Sequence, residues 1–548
     1  MNQSQTYPYQ PTNQPQANPQ AAAQLYPNQP YSNQGSTART MSAAEEKPDN
    51  IYTQNMKKHF PFFGIGSLLY SLFYAFCLYK NASGITYPFF VIGTLCYFFF
   101  SIQKLGVPYK KDSAFYIISI ILLGISNCVT SSPQILSINK LGIFLLSFVL
   151  ILHTVYNDQT WNVPKYCMAI LQTIGNCFEC LLRPFGDMIS YFDAQKHKKT
   201  GKRTYFLSIS IGIVIAIPLL FLMILLLSSA DIVFAKMFEQ FFEAINIWEI
   251  IHVIILMIVV FFSSYTIYAA LGRKNIKEEV TDKRIFDPVI AIVVTAALSV
   301  LYLMFSVIQI VYLFIGNMQL PDGYTYASYA REGFFQLLAV CIMNLLLVLI
   351  CLYLFRDNVA LKIILTIISG CTYIMILSSA LRMIMYIDRY HMTFKRIQVL
   401  WTLAVIFLLM TGVTIFIYHK KFPLFSYGMA VVTVFYIALS FSHPDYWIAR
   451  YNLTHEEYTE SGREYLISLS TDAAPAILNP DINPDIKSIK DMRKNNLLSD
   501  TFDYTEYKDN YILFWTNDYY DKVKYISKGM HLRDFNFSIC KAKSYLID

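Results

Sequence analysis

The chain carries one feature that constrains its fold above all others, a series of long apolar runs that contain almost no charge. They occupy residues 60–79, 84–102, 113–130, 135–156, 205–228, 247–271, 288–315, 333–355, 359–381, 399–418 and 423–441. Each is close to the ~20 residues that a helix needs to cross a hydrocarbon core of about 30 Å. The runs are continuous rather than alternating, and they far exceed the ~10 residues of a membrane-barrel strand, so strands are excluded for them. The expected fold is therefore an all-α integral membrane bundle of about eleven transmembrane helices. Composition agrees: 55% of residues are hydrophobic and 15% charged, whereas soluble domains carry about 25% charge. Pro288 and Pro423 sit at span starts, where a first-turn proline is tolerated, whereas Pro218 falls inside the fifth run and predicts a kink.

Three segments flank or interrupt this series. Residues 1–58 are rich in Gln, Asn, Pro and Tyr, as in Tyr26-Pro27-Asn28-Gln29-Pro30-Tyr31. They hold too little apolar surface to offset ordering, so a disordered tail is expected, with no signal-peptide pattern near Met1. Its Tyr-Pro repeats make it the candidate contact for protein partners. Residues 163–192 mix apolar positions with Lys165, Glu179, Arg183 and Asp187, which predicts an amphipathic helix lying in the membrane interface. Residues 442–548 form a soluble C-terminal domain with 17 acidic and 13 basic residues, expected to be mainly helical, with a strand alternative over 502–525.

Lys and Arg placement sets the expected orientation. With the N-terminus inside, inner regions hold 23 basic residues and outer loops 8, with 13 beyond the last span. That asymmetry follows the positive-inside rule and places the C-terminal domain outside. The net charge of +7 is thus a topology signal and does not point to nucleic acid. The partner it does imply is the lipid bilayer. Six of the ten cysteines lie within spans, and Cys540 alone lies in the C-terminal domain, so no disulfide framework is expected. Cys177 and Cys180 form an isolated CxxC without a nearby His, so neither metal nor redox use is expected. Phosphate-cradling, zinc-protease, nucleophile-elbow and calcium-loop motifs are absent, and no cofactor is expected.

Chemistry is left to charges at span ends. Asp231 lies 26 residues beyond Tyr205, roughly 39 Å of helix at about 1.5 Å per residue. Arg331 and Glu332 open the eighth span, and Arg382 lies 20 residues after Lys362, again roughly 30 Å. All four fall at one depth, the outer rim. Gln336 follows Glu332 by one turn, and Tyr386 shares a helix face with Ser379 and Arg382. Asp231, Arg331, Glu332, Gln336, Arg382 and Tyr386 are therefore the candidate polar site. The alternative is that rim charges pair with one another and fix helix register. An envelope or lipid-linked molecule is the candidate ligand, with arginines for an anion. Asn344, deeper in, reads as an interhelical hydrogen bond.

Several strings resemble a bacterial membrane family. They include Ser229-Ala230-Asp231, Arg331-Glu332-Gly333-Phe334-Phe335-Gln336, Ser379-Ala380-Leu381-Arg382-Met383, Pro444-Asp445 with Ile448-Ala449-Arg450-Tyr451-Asn452, and Leu469-Ser470 with Asp472-Ala473. The family is domain of unknown function 4173, with its relative 4153. The resemblance implies a polytopic bacterial inner-membrane protein with a C-terminal extension and implies no reaction or ligand. Two positions depart from the pattern, His443 standing where Asn is expected and His391 where Gly is usual. The functional expectation is a non-enzymatic bundle, transporter-like or sensory or a scaffold, working at its outer face. A membrane enzyme on a lipid-linked or envelope substrate is the alternative. Oligomeric state is left open.

Overall fold

The computed structural model describes residues 50–81, 83–196, parts of 216–236, and 247–279, 284–311, 326–455, 460–495 and 511–546. Among these the chain is helical, with a single isolated bridge between Phe286 and Phe355 and no strands. Ten helices are long and apolar enough to cross a membrane, so the protein is an all-α polytopic membrane protein. The fifth expected run, 205–228, falls largely outside the described residues, and Pro218 within it wholly so, as do residues 1–49 of the tail expected to be disordered over 1–58; its last residues, 51–58, are instead helical.

A short helix, α1 (Ile51–Lys58), precedes the first hairpins, α2 (Phe60–Leu78), α3 (Thr86–Leu105), α4 (Ala114–Val129) and α5 (Pro133–Val155). Two helices, α6 (Val163–Glu179) and α7 (Arg183–Lys196), then replace the one expected across 163–192. Both present apolar side chains outward, Leu171 and Phe178 on α6 and Phe185 and Ile189 on α7, as an interfacial helix should. Asp187 turns inward, where it accepts a hydrogen bond of 2.9 Å from the Tyr265 hydroxyl. The series continues through α8 (Ile247–Arg273), α9 (Pro288–Gln309), α10 (Tyr326–Leu354), α11 (Val359–Tyr390), α12 (Phe394–Tyr418) and α13 (Leu424–Phe441).

Two groups of helices share the bundle. One packs α2–α5 with α8 around an aromatic core that includes Phe63, Phe90 and Tyr265, and the other packs α9–α12 around Leu365, Met375 and Met383. α13 joins them by packing on α4 and α12. Its seam holds a polar knot, in which buried Asn139 accepts from the Tyr436 hydroxyl at 2.7 Å and from Ser440 at 2.8 Å and donates to Ser126 at 3.1 Å. Both polar atoms of the Asn139 side chain thus find partners, as apolar surroundings require. Many large apolar side chains, Ile65, Leu69, Phe76 and Ile255 among them, remain exposed along the spans, as a lipid-facing surface demands.

The remaining helices, α14 (Pro444–Thr454), α15 (Glu460–Ser468), α16 (Ala474–Ile477), α17 (Asp485–Lys494), α18 (Tyr511–Lys528) and α19 (Phe537–Lys543), form a cap with its own apolar core. Leu466, Ile477, Ile489, Tyr519 and Val523 are buried there. The strand alternative over 502–525 is corrected: 511–525 lie in α18, because Trp515, Tyr519 and Val523 recur every four residues on its buried face. Residues 502–510 are outside the described ones.

Candidate functional site at the capped end

The rim residues do not all converge. Asp231 is exposed, and its carboxylate accepts from the backbone N–H of Val233 at 2.7 Å, a local turn. Gln336 is exposed on α10. Arg331 and Glu332 lie in α10, with side chains outside the described set. Arg382 is 7% exposed. Its Nη2 donates to Gln309 Oε1 at 3.1 Å, and the same oxygen accepts from Ser378 at 2.6 Å. Arg382, Gln309 and Gly333 thereby bring α11, α9 and α10 together. Gly333 is needed for the approach, since a Cβ there would stand 1.9 Å from Arg382 Nη1. Tyr386, half-buried one turn on, carries the Arg396 guanidinium 4.3 Å from its ring centre. Deeper in, Asn344 donates to Thr372 at 3.0 Å, the interhelical bond its position implies.

A second polar cluster, not singled out as a site from sequence, joins the cap to the bundle. Asp472 is 4% exposed. Its Oδ1 accepts from the backbone N–H of Ser131 at 2.8 Å and from the Ser131 hydroxyl at 2.9 Å, while Ser538 and Thr130 also donate to the carboxylate. His443 Nδ1 lies 3.4 Å from Oδ2. Burial alone would raise this carboxyl, but the bonds from His443, Ser538, Thr130 and Ser131 outweigh it and hold the group below the usual carboxylate range. Asp445, also buried, accepts from the Ser470 hydroxyl at 2.6 Å and from its N–H at 3.2 Å. Burial, aided by the negative charge of Asp472, pushes Asp445 up. The carboxylate of Asp472 sits between imidazole and hydroxyls, so the order is not that of a nucleophile–base–acid triad, in which imidazole touches the hydroxyl.

The same face is clamped elsewhere. Asn536 donates to Ser83 O at 3.0 Å and Thr130 O at 2.9 Å, Arg533 donates to Tyr79 O at 2.8 Å, and Asn452 brackets Met392 through bonds of 2.7 and 2.9 Å. The cap thus closes on the turns after α2, α4 and α11. The only signal for this cluster in the sequence is the family resemblance, which extends over Asp445, Asn452, Ser470 and Asp472.

Among the described residues no group of three or more His, Cys, Asp or Glu could hold a metal. Cys180 is buried, and burial pushes the Cys177 thiol up to about 11, which leaves little thiolate for redox or metal chemistry.

The fold and its capped face define a multi-pass α-helical membrane protein with a docked C-terminal helical cap. The family model for a domain of unknown function, 4153, matches residues 117–479, and the chain belongs to that family. No curated protein matches the chain, and no solved structure does.

Proposed function

We infer that the protein is a non-enzymatic sensory or scaffold bundle of a bacterial cytoplasmic membrane, with the capped face outside and acting as its working face. The observation that carries this reading is the Asp472 latch. A buried carboxylate shared between the cap and the turn after α4 makes any displacement of the cap costly to the bundle, and the reverse. Arg382, tied to Gln309 and pressed on Gly333, then serves as the anchor of the rim, and Tyr386 with Arg396 continues it toward the cap.

This orientation calls for eleven crossings. Glu249 at the start of α8 pairs with Lys80 at the capped end, while Arg273 at its far end pairs with Glu179 of α6 at 2.6 Å. The chain therefore leaves α6 and α7 at one end and enters α8 at the other, which favours one crossing at 205–228. The positive-inside count then favours the cap outside. The strings around Arg382, Asp445 and Asp472 favour, in addition, kinship with the related domain of unknown function 4173.

Lipid and metabolite profiling of a deletion strain tests the non-enzymatic reading. Unchanged pools of lipid-linked and envelope precursors are expected. Accumulation of one such precursor, reversed by the wild-type chain and not by an Arg382→Ala chain of equal abundance, would establish the enzyme alternative instead.

A further inference from the structure

At the end opposite the cap, α5 stops at Val155 and the chain turns through 156–162 into α6. His153, in the last turn of α5, donates from Nδ1 to Asp158 at 2.6 Å. The Tyr166 hydroxyl also donates to Asp158, and Lys110 Nζ stands 3.6 Å from its other oxygen. Lys110 is held there by bonds of 2.5 and 2.6 Å to the His153 and Tyr156 carbonyls. Burial works against ionisation of Asp158, but His153, Tyr166 and Lys110 outweigh it, and the carboxyl lies below its usual range. An ionised carboxylate only accepts, so Nδ1 carries a proton, and in the neutral imidazole Nε2 then presents a lone pair.

That Nε2 is buried with no hydrogen-bond partner in the protein, and the His153 side chain is 13% exposed. Leaving such an acceptor unpaired is costly, so a buried one without a protein partner needs an explanation. The imidazole lines a cavity of about 610 Å³ walled by Tyr116, Trp161, Tyr166 and Phe425 and bordered by Lys420 and Lys421. Tyr166 and Phe425 stack at 4.2 Å, which fixes one wall. Lys420 keeps its side chain over the Phe416 ring and pairs with Asp357 at 3.4 Å. The cavity lies where five spans begin or end, at the depth of a lipid headgroup.

We propose that this cavity binds a phosphate ester with a terminal hydrogen-bond donor, of the phosphoethanolamine or phosphoglycerol type, with its phosphate on Lys420 and Lys421 and its donor on His153 Nε2. The aromatic walls accommodate the intervening methylenes or an ammonium. Two sources share this chemistry, a phospholipid of the surrounding leaflet and a soluble phosphate ester. The site stands at the other end of the bundle from the Asp472 latch and does not depend on the reading given for it.

Native mass spectrometry of the full chain, released from nanodiscs of equal parts phosphatidylethanolamine, phosphatidylglycerol and phosphatidylcholine, tests the proposal. Phosphatidylcholine carries the phosphate but no terminal N–H or O–H. The donor-bearing lipids should be retained over it by about fivefold or more, the scale of one hydrogen bond to a buried acceptor. His153→Asn keeps an N–H for Asp158 but its amide oxygen falls short of the Nε2 position, so the preference should vanish while the melting temperature stays near wild type. Lys420→Gln with Lys421→Gln should weaken retention of all three. Binding of soluble phosphoethanolamine or glycerol phosphate without lipid preference would assign the site to a soluble ester. Equal retention of the three lipids with no binding of either soluble ester overturns the proposal, and that comparison needs no variant.

Discussion

His391 and His443 both adopt positive φ, 66° and 47°. The resemblance implies Gly and Asn at these two positions, and those are the residues that tolerate such backbone. His391, with ψ of 167°, lies in a region essentially reserved for glycine. Arg396 offsets part of the strain by donating to the carbonyls of Tyr390 and His391. His391→Gly should therefore raise stability by about 1 kcal/mol, the relief of strain less the added unfolded-state entropy of glycine. A thermal melt of the purified chain would show it, and a lowered midpoint would mean that the imidazole contributes more than its backbone costs.

The two buried aspartates should answer pH in opposite directions. Asp472 is held low, so its stabilisation is present above the unfolded value and is lost as pH falls through the lowered folded one. Asp445 is pushed up, so what it contributes is complete below the unfolded value and is lost as pH rises through the raised folded one. Asp472→Asn should cost about 2–3 kcal/mol at neutral pH, since an amide cannot accept from all of its donors. Asp445→Asn should be near neutral or stabilising there, because its amide oxygen can still accept from Ser470. Limited proteolysis of the cap across pH 4–7 would separate the two variants.

At the scale of elements, α11 is the informative case. The apolar run ends at 381, where Arg382 interrupts it, but the helix continues to Tyr390. Apolar length reports membrane thickness, and helix length is set separately, here by the cap, whose Asn452 holds the Met392 backbone just past the helix end. The start of α12 at Phe394, against a run beginning at 399, has the same cause, with Phe394 buried against the cap core. The break between α6 and α7 was equally hidden, since Cys180 and Leu181 carry no turn signal and the chain bends where Cys180 packs into the core. Close helix contact at Gly333 gives a test. Gly333→Ala should cost about 1–3 kcal/mol by overpacking Arg382. Paired with Arg382→Ala, the cost should shrink, and a double-mutant cycle on membrane abundance and melting would measure the coupling.

For the molecule as a whole, the span series was legible because a bilayer demands continuous apolar length, and ten of the eleven runs coincide with long helices. The docking of the cap was not legible. Asp472 meets Ser131 across 341 positions, and nothing local distinguishes it from a solvated aspartate. His153 and Asp158 were hidden for the opposite reason, being close in sequence but meaningful only beside a cavity built by α4, α12 and α13. Orientation has a direct check in single-cysteine chains that retain Cys540 on the cap or Cys167 on α6, both exposed. In intact cells an impermeant maleimide should label Cys540 and spare Cys167 until the membrane is opened. The reverse pattern would invert the topology.

The clamp formed by Arg533 and Asn536 also sets an order of biosynthesis. The turns it closes, around Tyr79, Ser83 and Thr130, emerge from the ribosome more than 400 residues before their partners. Until Arg533 and Asn536 are made, those carbonyls have only water to pair with, and the bundle waits with its face open. Synthesis of this segment is thus the event that closes the cap, so a copy that lacks it differs from one that carries it at a surface that quality-control proteases can read.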